Sequence, residues 1–178
     1  LIGTKIHRRF AMFFHILLSM IGVGLGFYLS FHIGIPYLGL VFLLVTGVLW
    51  FYSTTYKRQF LVGNIIVAVL TALVPLMVVV FEIPLLNTEY KDLLLKHNMN
   101  FMFLFHWVLV FAFFAFMMNL MREIIKDIED YEGDRVYGRN SLPVVLGVKI
   151  SKNIVNLLIL ITLVGLNYVY FSYLEDTI

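Results

Sequence analysis

The chain has 178 residues, of which 61% are hydrophobic and 13% charged, with a formal net charge of +2. Soluble domains carry roughly 25% charged residues, so the composition excludes an ordinary soluble core, and the small net charge gives no reason to expect a nucleic-acid partner. Cysteine is absent, which excludes disulfides and thiolate metal sites.

Five stretches are apolar enough to cross a bilayer, which takes about 20 residues. They run from Phe10 to Ile33, Pro36 to Phe51, Leu61 to Phe81, Met99 to Met121 and Ile154 to Phe171. This predicts an all-α, polytopic membrane helical bundle. The first two are parted only by Gly34-Ile35-Pro36 and should pair as an antiparallel hairpin. The stretch from Glu82 to Asn98 reads as a short connector or interfacial helix. The fourth span should continue as helix into Asp127, because every residue from Arg122 onward tolerates one. Gly133 and Gly138 then argue that the helix loosens. Ser141-Leu142-Pro143 should open a new element, since the residue before proline avoids the helical region.

The loops set the orientation. Lys5, Arg8 and Arg9 precede the first span, and Lys57 and Arg58 follow the second. Arg122, Lys126, Arg135, Arg139, Lys149 and Lys152 lie between the fourth and fifth. These loops alternate onto one side and hold eleven of the thirteen Lys and Arg residues. The positive-inside rule makes that side cytoplasmic, which predicts an integral protein of the cell's inner, or plasma, membrane. The chain starts at Leu1, not at a methionine, and reads as an internal piece of a longer one.

The polar stretch 122–147, REIIKDIEDYEGDRVYGRNSLPVVLG, holds six of the eleven acidic residues. It opens an aspartate-rich cytoplasmic loop, 122–152, within a single transmembrane domain spanning residues 1–178. Asp127, Asp130 and Asp134 form the pattern D-x-x-D-x-x-x-D. On a continuous helix, Asp127 and Asp134 would point within about 20° of each other. Like charges on one face repel. A hard divalent cation resolves that repulsion, and Mg²⁺ usually arrives with substrate phosphates. With Arg122 and Lys126 alongside, the stretch suits a lipid-like diphosphate held through Mg²⁺ at the membrane edge. A solvated acidic loop balanced by neighbouring bases is the plainer alternative.

This segment resembles the second aspartate-rich motif of the UbiA superfamily of intramembrane prenyltransferases, including the trailing Gly138 and Leu142-Pro143. A second segment, WFYSTTYKRQFLVGNIIVAVLTALVPL from Trp50 to Leu76, resembles that family's tyrosine-and-lysine loop and the helix after it. The resemblance implies an all-helical bundle of about nine spans, of which the five here would be the third to the seventh. It implies that a first aspartate motif, N-D-x-x-D-x-x-x-D, lies upstream of Leu1, and that this piece alone lacks half the metal site and is inactive.

The implied activity is Mg²⁺-dependent transfer of a polyprenyl group from an allylic prenyl diphosphate to a membrane-associated acceptor. The wording KDIEDYEGD with YSTTYKR is most similar to geranylgeranylglyceryl phosphate geranylgeranyltransferases; enzymes acting on aromatic quinone precursors are close behind. By position, Asp130 and Asp134 match the metal-binding pair, with Asp127 the third acid. Arg122, Lys126 and Asn64 match diphosphate-binding positions. Tyr52 and Lys57 match the catalytic loop that contacts diphosphate and stabilises the prenyl cation. Tyr52 is equally readable as part of the interfacial aromatic belt, and Arg122 and Lys126 serve as positive-inside anchors in either case.

Other polar residues read differently. Glu123 falls one turn before Asp127 and reads either as a partner of that acid or as a surface acid, the surface reading being slightly favoured. His15, His106 and Asn119 lie within spans, where an interhelical hydrogen bond explains them as well as a site does. The Phe and Met residues from Phe101 to Met118 suit packing and lipid contact, or a polyprenyl groove. Among rivals, a CDP-alcohol phosphotransferase would carry D-G-x-x-A-R, which is absent, and the spans exclude a soluble terpenoid-forming enzyme. A transporter or membrane-scaffold fragment with an acidic cytoplasmic loop is the remaining alternative. Such a protein would want charges inside its spans, and the five contain no Asp, Glu, Lys or Arg.

Overall fold

The computed structural model describes residues 7–56, 59–97 and 99–174; Lys5, Lys57 and Arg58 lie outside the described residues. Among them there are helices and turns and no strand. Lipid offers no partner for a backbone amide, so an apolar run must satisfy its own hydrogen bonds, and the helix does so within one segment. Five helical stretches have the length and apolarity to cross a membrane, as expected: Arg9–His32, Pro36–Thr54, Val62–Glu89, Met102–Glu129 and Val148–Tyr173. The chain is an integral membrane protein with an all-α, polytopic bundle.

Helices α1 (Arg8–His32) and α2 (Gly39–Thr54) form the expected hairpin, joined through a 3-10 turn at Pro36–Leu38. Gly34 bends the chain there with φ +77, a left-handed conformation that glycine adopts without strain. Two other glycines let the helices close up. A Cβ on Gly26 would overlap the Phe42 ring, and one on Gly39 would overlap the Phe27 ring.

Helix α3 (Val62–Glu89) continues past the expected end at Phe81, carrying Pro75 and Pro84 inside it. The connector to the next span is the short helix α4 (Lys91–His97). Helix α5 (Met102–Glu129) makes its broadest contact with α3. Within the bilayer, Asn119 Nδ2 donates to Thr71 Oγ1 at 3.0 Å, the interhelical bond that explains this span asparagine. His106 is satisfied within its own helix, with Nδ1 2.9 Å from the Met102 carbonyl oxygen.

Helix α5 runs without a break from the apolar span through Asp127, as expected. It ends at Asp130, not at a glycine. Asp130 has φ −82 and ψ 4, and the six-residue α6 (Tyr131–Val136) follows with Gly133 inside it. The joint is shallow, since Asp130 N–H still donates to Lys126 O and Asp134 N–H to Asp130 O, both at 2.9 Å. Gly138, with φ +64, turns the chain back. Ser141 then opens the short α7 (Leu142–Leu146), with Pro143 in its first turn. The last span, α8 (Val148–Val169), starts earlier than the expected Ile154.

The packed core lies next to the aspartates. Ala68 of α3, Leu120 and Ile124 of α5, Leu142 of α7 and Val155 of α8 are buried against one another, with Leu61 and Ile128 at the edge. Elsewhere large apolar side chains such as Leu18, Leu44, Phe111 and Leu163 face outward, as lipid contact requires. The bundle is therefore held most firmly at the end where α5 turns into α6.

Candidate active site

The polar end of α5 carries Glu123, Lys126 and Asp127 toward α3, with Asp130 at the joint and Asp134 on α6. All five border one cavity of about 50 Å³. Tyr52, from the last turn of α2, borders it too, as do Gln59, Gly63 and Asn64 from the start of α3 and its lead-in. Arg139 and Ser141, on the return from α6 to α7, complete the lining. Leu61 sets how α3 enters this site. It has φ 55, a left-handed conformation that costs a non-glycine residue roughly 1–2 kcal/mol.

Each buried acid has a partner. Asn64 Nδ2 donates to Asp127 Oδ2 at 2.7 Å, across α3 and α5. Asp134 is 5% exposed and accepts a hydrogen bond from Arg139 NH1 at 3.0 Å. Glu123 is 7% exposed; its Oε1 accepts from Arg122 NH1 at 2.7 Å, and its Oε2 stands 3.8 Å from Lys126 Nζ. The expectation that Glu123 is a surface acid is therefore corrected. It lies one turn before Asp127 on the same face of α5, and it borders the same cavity as Gly63 and Asn64 of α3. Among the described residues, Ser141 Oγ is buried without a hydrogen bond.

Six residues expected at the site come together here: Tyr52, Asn64, Lys126, Asp127, Asp130 and Asp134. Arg122 does not border the cavity; its side chain is 69% exposed and is engaged with Glu123. Lys57 lies outside the described residues. Sequence reasoning disfavoured Glu123 and missed Gln59, Gly63, Arg139 and Ser141. The signal for Glu123 was its helical spacing from Asp127; the other four carried none.

The donor set is all oxygen, as a hard cation demands. Among the described residues, no three His, Cys, Asp or Glu side chains converge as a self-sufficient metal cage. Asp127 and Asp134 are already hydrogen-bonded on one oxygen each, while among the described residues no hydrogen bond or ion pair holds the Asp130 carboxylate. That arrangement fits an ion that takes one or two carboxylates from the protein and the rest of its shell from phosphate and water, the habit of Mg²⁺. The larger hollows are apolar. One of about 640 Å³ lies between α3, α5 and α8, bordered by Leu76, Phe113, Phe116 and Tyr168 among others.

Residues 1–176 match the UbiA prenyltransferase family. The chain is 33% identical over 146 residues to a digeranylgeranylglyceryl phosphate synthase of Methanosphaera stadtmanae, covering 82% of this chain and 44% of that protein. It is likewise 33% identical over 147 residues to the synthase of that name in Methanothermobacter thermautotrophicus, covering 83% and 43%. A third, from Korarchaeum cryptofilum, is 31% identical over 163 residues, covering 90% and 48%. The chain thus spans about half the length of these relatives. No solved structure matches it. With a family match from end to end and the aspartates gathered at the mouth of an apolar bundle, the chain belongs to the UbiA prenyltransferase family.

Proposed function

We propose that the protein of which this chain is a part transfers a polyprenyl group from an allylic prenyl diphosphate to the free hydroxyl of a glycerol-based lipid phosphate. The observation that carries this reading is the single cavity where Asp127, Asp130, Asp134, Asn64 and Lys126 meet at the polar end of an apolar bundle. Lipid tails belong among the helices, and charged headgroups belong where these side chains are. The names of the relatives point to the geranylgeranyl group and to glyceryl phosphate.

In this reading Asp127, Asp130 and Asp134 would hold Mg²⁺ against the diphosphate. Bound there, the ion supplies electrostatic stabilisation of the charge that develops on the leaving diphosphate. The chain's own groups then have distinct tasks. Asn64 fixes the Asp127 carboxylate, and Arg139 fixes that of Asp134. Lys126 offsets negative charge on the headgroup, and Tyr52 presents its ring at the same cavity, where an allylic cation would gain from an aromatic face. Arg122 acts through Glu123. Lys57 belongs with the diphosphate-contacting loop on the strength of the family resemblance alone. The bias of Lys and Arg toward these loops supports a cytoplasmic aspartate end in a plasma-membrane protein.

The test is a mass-spectrometric transfer assay on the full-length protein, pairing prenyl diphosphates with geranylgeranylglyceryl phosphate and with aromatic quinone precursors. The ether product is expected with the glycerol lipid. Asp130→Ala and Asp134→Ala should each abolish it, and near-normal transfer by either variant would reject the site. Product from the aromatic acceptors alone would reject the acceptor.

A further inference from the structure

We propose that Glu123 takes the proton of the acceptor hydroxyl as its oxygen is alkylated; this rests on the prenyl-transfer reading above. The first observation is burial. A carboxylate that is 7% exposed at the mouth of a membrane bundle is costly, and ionisable groups kept in such places are functional by default. Arg122 NH1 at 2.7 Å and Lys126 Nζ at 3.8 Å offset that cost. Neither requires the acid to be buried, because both cations are more than half exposed, at 69% and 54%.

The second observation is position. Helix α5 rises about 1.5 Å per residue, which puts Glu123 roughly 6 Å nearer the apolar span than Asp127 and 10 Å nearer than Asp130. A headgroup gripped by the aspartates would leave its C1 carbon on the membrane side of them, at the level of Glu123. The third is an oxygen held by an ion pair alone, with no hydrogen bond among the described residues. Oε1 is engaged by Arg122, whereas Oε2 is beyond hydrogen-bond reach of Lys126, and the residue borders the cavity.

The step balances as follows. The C1–O bond of the prenyl diphosphate breaks, and its electron pair leaves on the diphosphate. A lone pair of the acceptor hydroxyl oxygen forms the new C1–O bond. The resulting oxonium gives its proton to Glu123 Oε2, leaving a neutral ether and a neutral carboxylic acid, which returns the proton to water. An oxonium is so strong an acid that it needs a nearby acceptor rather than a strong base, so the flanking cations do not disable Glu123.

The experiment uses the full-length protein with Glu123→Gln, which keeps the shape and the bond from Arg122. Three quantities are read: the affinity for a non-ionisable prenyl thiodiphosphate with Mg²⁺, kcat for transfer to geranylgeranylglyceryl phosphate, and the ratio of ether to free prenyl alcohol. The expected result is a loss of about 100-fold or more in kcat, an analogue affinity changed less than threefold, and a shift of product toward the alcohol. Glu123→Asp should recover at least a tenth of wild-type kcat. It also carries the test if the Gln variant does not fold, since the shortened carboxylate should then lower kcat at unchanged analogue affinity. Transfer by Glu123→Gln within threefold of wild type would overturn the assignment. So would a parallel loss of affinity and kcat without a product shift, the mark of a residue that only positions Lys126. A wild-type protein that binds the analogue but makes no ether with any acceptor overturns the parent reading, and that failure is visible before any variant is made.

Discussion

Asn64 and Asp127 meet across the α3–α5 contact at 2.7 Å, so one amide both joins the two helices and aims a carboxylate. The bond is part-buried and follows directly on the left-handed Leu61. Asn64→Ala would leave a half-buried carboxylate without its donor. Losing the partner of a buried charged group costs about 1–3 kcal/mol. Thermal unfolding of the full-length protein should show that loss. Affinity for a prenyl thiodiphosphate with Mg²⁺ should fall as well, because Asp127 is then free to rotate. An unchanged affinity would separate Asn64 from headgroup binding.

Arg139 and Asp134 form the second clamp, and it behaves differently from a surface pair. Asp134 is 5% exposed while the Arg139 side chain is 41% exposed. Removing the arginine strands a buried acid, whereas removing both partners strands nothing. The Asp134→Asn/Arg139→Ala double variant is therefore expected to lose less stability than the two single variants summed. A double-mutant cycle in unfolding free energy should give a coupling of about 0.5–3 kcal/mol. A cycle that closes to zero would place the pair among exposed ion pairs of negligible worth.

Much of the architecture could be read from the chain alone, for a specific reason. Five apolar runs uninterrupted by charge have only one way to satisfy their backbones in lipid. Their ends were less legible. The third helix runs on to Glu89 and the eighth begins at Val148, because a helix end in polar sequence is decided by local bonds rather than by hydropathy. Ser151 illustrates this: its hydroxyl donates to Gly147 O at 2.9 Å and it is fully buried, although its residue type suggested neither. At the site, Asp127, Asp130, Asp134 and Lys126 were legible through their spacing, and Tyr52 and Asn64 through resemblance. Arg139, Ser141 and Gln59 lie in irregular segments, where no period links residue number to direction. For Glu123 the spacing left a partner of Asp127 and a surface acid both open, and its 7% exposure decides against the surface.

Ser141 gives a prediction against the usual rule for helix starts. A serine at an N-cap normally bonds a backbone N–H, and its loss to alanine costs about 0.5–2 kcal/mol. Here the side chain makes no capping bond, and its buried oxygen has no partner. Ser141→Ala should thus leave unfolding stability unchanged or raise it, since removing an unsatisfied buried hydroxyl relieves a desolvation cost of about 1–3 kcal/mol. A clear loss of stability would show that the hydroxyl is bonded in the membrane-embedded protein.

The α1–α2 hairpin offers a test remote from the chemistry. Gly26 lies under the Phe42 ring and Gly39 under the Phe27 ring, so each helix inserts an aromatic where the other has no side chain. Without a hydrophobic drive between helices in lipid, such close packing is what holds them together. Gly26→Ala must displace the Phe42 ring, which in turn stacks edge-on against Phe81 of α3 at 5.9 Å between centroids. Overpacking of this kind costs about 1–3 kcal/mol. Gly22 and Gly24 are the controls, because a Cβ on either meets nothing within 4 Å. Alanine at those positions removes backbone freedom from the unfolded chain and should be neutral or mildly stabilising. Thermal unfolding in detergent is expected to separate Gly26→Ala from both controls, and equal midpoints would mean that α1 and α2 are not held by this contact.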